Sequence, residues 1–170
     1  MNEIQQIQKL RTSIKAWIII FIVSLVISGV TAFCLETELA WIDHLLEYNK
    51  SGLALWIYKV YTAIHETNLK FPYLAYGYDW LAFAHLVIAV AFIGPLKDPV
   101  RNKWVIKFGI IACCMIFPLA FIAGPVRSIP FGWQLIDCSF GIIGLIPLCI
   151  CYSKITRLEK LSEKIKNEEQ

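Results

Sequence analysis

The sequence predicts an all-α, polytopic integral membrane protein: four transmembrane helices in a bundle, plus two short amphipathic helices in the first outer loop. Three observations predict it. Of the 170 residues, 58% are hydrophobic and 17% charged, where soluble domains run nearer about 45–50% and 25%. The apolar residues gather into four blocks, each long enough to cross a bilayer. The cations gather at one set of block ends. A soluble bundle would have to bury helices that are apolar on every side, and a chain this short cannot cover them.

The first block, Ala16 to Leu35, carries no charge. Trp80 to Leu96 carries only His85, Phe108 to Val126 carries nothing titratable but cysteine, and Phe131 to Tyr152 adds only Asp137, cysteine and tyrosine. Crossing about 30 Å of hydrocarbon takes roughly 20 residues at about 1.5 Å each. The expected spans are 16–35, 80–96, 105–126 and 131–152, in one domain over 1–170. Thr31 and Ala32 offer small residues near a signal cleavage site. The first block is longer than a signal h-region, so a retained span is expected.

Orientation follows from Lys and Arg. With a cytoplasmic N-terminus, Lys9, Arg11, Lys15, Lys97, Arg101, Lys103, Lys107, Lys154, Arg157, Lys160, Lys164 and Lys166 lie inside, against Lys50, Lys59, Lys70 and Arg127 outside. The acids divide almost evenly, as the positive-inside rule allows. Both termini are expected to be cytoplasmic. The net charge of +3 is that of the inner anchors and calls for no nucleic-acid partner.

Tails 1–15 and 153–170 carry apolar stripes: Ile4, Ile7, Leu10 and Ile14 in one, Ile155, Leu158, Leu161 and Ile165 in the other. This is helical spacing. Each tail should extend its span, and the stripes either cover one another or rest on headgroups. The end beyond Ile165 should fray. The outer loop, 36–78, reads as two helices: LAWIDHLLEY beginning at Thr37, and GLALWIYKVYTAIHE capped by Ser51. Its many tryptophans and tyrosines suit the headgroup level.

Two turns echo each other, FIGPLKDPVRNKW (Phe92–Trp104) and FIAGPVRSIPFGW (Phe121–Trp133). In each, Gly is expected to cap a helix and Pro to stop it. Pro118 and Pro147 fall inside spans and should kink them.

The chemistry lies in the titratable groups. Asp79 stands at the start of the second span, where a carboxylate complements the helix dipole; it is also a candidate ligand group. His85 is about 9 Å further along and shares its face with Ala82 and Ala89. Small residues on a membrane helix mark close approach of another helix, so His85 should turn inward. Asp137 lies at similar depth in the fourth span, on the stripe Gln134, Asp137, Gly141, Gly144 and Leu148. Ionisable residues inside a membrane are expensive and commonly functional. His85 and Asp137 are therefore the candidate catalytic pair, the alternative being a His–Asp hydrogen bond that fixes helix register. Arg127, Asp79, Gln134, His65 and Glu66 are candidate ligand-binding residues. No metal site is expected, because His65, Glu66, His85 and Asp137 would gather only if the loop folded back. A bis-histidine haem would need a second intramembrane His, and no cofactor is expected. The cysteines form no CxxC and read as small apolar residues. Cys34 and Cys138 differ in expected depth, so no bridge is expected.

The sequence points to a protein that binds, and in one reading acts on, a lipid or other apolar small molecule at an outward-facing polar site. The alternatives are a non-catalytic subunit, held to a membrane-protein partner or a second copy through small-residue faces and helical tails, and a small dimeric transporter. In plan alone (four spans, a long first outer loop, a basic C-tail), the chain resembles the emopamil-binding and sigma-2 receptor group of sterol-handling proteins. That likeness implies a lipid pocket and carries no residue-by-residue correspondence.

Overall fold

The structure, a computed structural model, describes residues 3–46 and 51–168. In chain order the helices are α1 (Glu3–Phe33), α2 (Leu35–Leu46), α3 (Gly52–Lys70), α4 (Tyr76–Ala91), α5 (Ile93–Lys97), α6 (Lys103–Val126) and α7 (Phe131–Glu168), with a 3₁₀ turn at Pro72–Ala75. The described residues include no strand. Four stretches are long and apolar enough to cross a membrane: Gln5–Phe33, Pro72–Lys97, Lys103–Val126 and Phe131–Glu168. They coincide with the four sequence blocks. Only 17–28% of their apolar windows is buried within the protein. The outward apolar surface suits hydrocarbon and would be unstable in water. By length and composition this is a multi-pass membrane protein.

The helix ends differ from expectation in several places. Both Gly-Pro pairs stay inside helices, Gly94-Pro95 in α5 and Gly124-Pro125 in α6. No described glycine has positive φ. The left-handed residue that ends α6 is Ser128, at φ 55°. Ile129 N–H donates to the Gly124 carbonyl at 2.9 Å and Ser128 N–H to Pro125 at 3.1 Å, a Schellman closure. Second, α2 begins at Leu35, not Thr37, one residue after α1; its expected end at Tyr48 lies outside the described residues. Third, α7 continues through Glu168 where fraying was expected past Ile165; Gln170 lies outside the described residues. Fourth, the second span breaks at Phe92 between α4 and α5. In addition, α3 runs on to Lys70 past the expected Glu66, and α4 starts at Tyr76 ahead of the expected Trp80. The expected cap is present: the Ser51 hydroxyl caps α3, accepting from Ala54 N–H at 3.2 Å.

The chain forms two compact units, one from Met1–Ser24 and Ala89–Gln170, the other from Leu25–Ile88. In the first, α6 and α7 pack so closely that backbone meets backbone. A Cβ on Gly141 would lie 2.9 Å from the Cys113 carbonyl oxygen, and one on Gly144 would lie 2.8 Å from Cys113 Sγ. Small residues permit that approach. Phe21 of α1 sits beside Gly144 and packs on Phe92, ring centroids 4.7 Å apart. Toward the termini the two tails meet: Ile14, Ile155 and Leu158 are fully buried, the Cys151 thiol reaches the Ile14 carbonyl, and Lys154 donates to the Ser13 hydroxyl, while Ile7, Leu10, Leu161 and Ile165 stay partly exposed. Lys103 at the start of α6 pairs with Glu159 at 2.6 Å and lies over the Tyr152 ring.

In the second unit α2 and α3 pair through Leu39, Ala54 and Ile57. The end of α1 packs on α4 through Gly29: a Cβ there would lie 2.9 Å from the Ala82 carbonyl oxygen and 3.2 Å from His85 Cβ. Ala82 is completely buried.

Candidate functional site

The candidate site lies in the first unit, where the α6 turn meets α7. Arg127, the last residue of that turn before left-handed Ser128, and Asp137, two turns into α7, line one cleft of about 230 Å³. Its walls are otherwise apolar, from Ile116, Leu119, Ala120, Ala123 and Ile129. The helical spacing of Gln134, Asp137 and Gly141 turns Asp137 toward α6, and the Ser128 conformation folds the chain back so that Arg127 stands over the same opening. Among the described residues neither Arg127 nor Asp137 has an ion-pair or side-chain hydrogen-bond partner. A guanidinium and a carboxylate with free valences thus face one apolar-walled space. The guanidinium offers paired N–H donors to a phosphate or carboxylate. The carboxylate accepts from a hydroxyl or an ammonium.

Gln134, expected as a ligand group, serves the turn instead. It is 5% exposed, its amide nitrogen donates to the Ile129 carbonyl at 2.8 Å, and its stem fills the space left by Gly124.

The other candidates lie in the second unit. His85 Nδ1 is 2.9 Å from the Leu81 carbonyl oxygen. A carbonyl only accepts, so Nδ1 is the donor in this contact, and Nε2 is the ring nitrogen outside it. Asp79 sits in the first turn of α4, which satisfies the dipole reading. It also lines a groove of about 380 Å³ with Phe33, Tyr76, Trp80 and Phe83.

His65 and Glu66 separate. Glu66 is exposed, while His65 Nδ1 meets Glu36 at 2.6 Å. Asn68 donates to the other Glu36 oxygen at 2.6 Å and contacts the Tyr78 hydroxyl at 3.0 Å. Tyr61 stacks on His65. The two hydrogen bonds hold the Glu36 carboxyl below its ordinary value. This network escaped the sequence reading because Glu36 is remote from its partners along the chain. The i, i+3 spacing of His65 and Asn68 was the available signal. Asp43 and His44 line a further groove of about 520 Å³ with Tyr58 and Tyr61, between α2 and α3. Among the described residues no three His, Cys, Asp or Glu side chains gather as metal ligands, and the cysteines are free thiols.

No protein-family model matches this chain, and neither a curated protein nor a solved structure does.

Proposed function

We propose that this protein binds an amphipathic, lipid-like small molecule whose polar head lies between Arg127 and Asp137 and whose apolar part runs along α6. The observation that supports the reading is the cleft itself: two unpartnered opposite charges face one apolar-walled opening. Uncompensated charge beside hydrocarbon is costly, and a bound head group would supply the missing partners. In this reading the four spans form a bundle, both termini are cytoplasmic by the positive-inside rule, and α2 and α3 are the amphipathic helices of the outer loop. The cleft then opens toward the outer leaflet. Asp137, through its carboxyl, is the group proposed to handle a proton if the ligand is also transformed.

The experiment is extraction of the detergent-purified protein and identification of what it retains. Wild type should hold one amphiphile near unit stoichiometry, and Arg127→Gln should lose it with an unchanged melting temperature. An identical, non-selective lipid profile from both proteins would overturn the reading. A second chain recovered at fixed stoichiometry, with the cleft empty, would favour the non-catalytic subunit.

A further inference from the structure

A second polar pocket lies at the opposite end of the first unit, where α1 begins and α7 runs out past its apolar stretch. It measures about 580 Å³ and is lined from α1 by Gln6, Lys9 and Ser13, and from α7 by Ser153, Lys154 and Arg157. Lys154 donates to the Ser13 hydroxyl, which fixes one ammonium in the wall and ties the helices at that level. Among the described residues, no carboxylate pairs with Lys9, Lys154 or Arg157. Glu159, the nearest acid along α7 from Arg157, is taken by Lys103. Positive-inside anchoring explains why cations are at this end. It does not explain why three of them, from two helices, converge with hydroxyls and an amide on one concavity.

Depth identifies the ligand's setting. The charge-free block of α1 begins at Ala16, and the apolar block of α7 ends at Tyr152. Ser13 and Ser153 lie three residues and one residue outside those blocks, within about 5 Å along their helices. The headgroup layer occupies about 5–8 Å on each side of the hydrocarbon, so the pocket opens at that layer. We propose that it is a site for a phospholipid headgroup carrying two phosphate groups. Basic recesses between membrane helices favour such headgroups. Arg157 offers a planar fork to one phosphate oxygen pair, Lys9 and Lys154 supply point charges, and the hydroxyls and Gln6 complete the donor set. The volume far exceeds what one phosphate needs. This proposal does not depend on the Arg127–Asp137 reading.

The test uses the full chain in lipid nanodiscs with two probes matched in total phosphate, cardiolipin with two phosphates per molecule and phosphatidylglycerol with one, in a phosphatidylcholine background. Binding is read by native mass spectrometry. Cardiolipin should bind more tightly. Lys9→Gln with Arg157→Gln should weaken it about tenfold or more, while the charge-matched pair Lys160→Gln with Lys166→Gln should change it less than about twofold. Lys154 is left intact because it braces the helices; Lys9→Gln alone, at an exposed position, covers the case in which the double variant fails to fold. Equal loss in both pairs would assign the effect to diffuse charge and overturn the site. So would an absence of preference for cardiolipin. Free pyrophosphate displacing cardiolipin at equal concentration would show that phosphate is recognised without its lipid, and would overturn the lipid assignment.

Discussion

Gln134 lies across the notch at Gly124: its amide nitrogen holds the Ile129 carbonyl at 2.8 Å, and its Cδ would be 2.6 Å from a Cβ on Gly124. The pair closes the α6–α7 turn and so fixes the stretch from Arg127 to Asp137. Gly124 is needed for its missing side chain, not for its backbone freedom.

Gly124→Ala should therefore destabilise the fold by about 1–3 kcal/mol, the usual range for overpacking, despite alanine's better helix propensity. Thermal unfolding in detergent measures it. Gln134→Ala should relieve most of the clash, so the double variant should fall well short of additivity. Additive losses would mean that the two residues do not share this space.

Gly29→Ala meets backbone, which has less room to move. Its Cβ would press on the Ala82 carbonyl oxygen at 2.9 Å, forcing the end of α1 away from α4. A loss of about 1–3 kcal/mol is expected, with hydrogen exchange rising at 25–33 and 76–88 before it rises elsewhere. Unchanged exchange in both segments would contradict the packing.

Asp137→Asn separates a structural from a functional carboxylate. Asp137 has no partner to lose among the described residues, and an unpaired charge within a span is unfavourable. The variant should melt at the same temperature as wild type or higher, while retention of the co-purified amphiphile falls. A fall in melting temperature would show instead that the carboxylate holds the fold together.

Glu36 gives a pH dependence. Hydrogen bonds from Asn68 and His65 lower its carboxyl below the ordinary 4.5. A depressed folded-state value adds stability that is present above the unfolded value and is lost as pH falls through the folded one. Amide protection in α2 and α3 should hold from neutral pH to about 4.5 and decline below it. Glu36→Gln should flatten that decline. The pair is partly exposed, so the effect at pH 7 should be about 1 kcal/mol or less. An identical acid profile in the variant would remove Glu36 from the account.

The four spans were legible because hydrocarbon admits only long apolar helices, and length and charge can be counted along a chain. The Ser51 cap and the helical tails were legible for a related reason, since capping and helical periodicity are local. The turns were misread where a rule had two causes. Gly-Pro usually signals a helix end, yet here Gly124 gives room to Gln134 and Ser128 takes the left-handed conformation.

The candidate site was legible in part. Asp137 and Arg127 stood out as charges in an apolar setting, but Gln134 looked like a ligand until its amide was found in the turn, and Glu36 gave no sign of His65 and Asn68. The sequence by itself determined the membrane class, the number of spans and which side chains must be accounted for, because those follow from the cost of placing polar groups in lipid. Only the tertiary structure decided which charges share a space: Arg127 and Asp137 line one cleft, Lys9 and Arg157 line another, and Lys103 and Glu159 form an ion pair. Such meetings depend on how helices approach, and that is set by contacts between residues far apart in the chain.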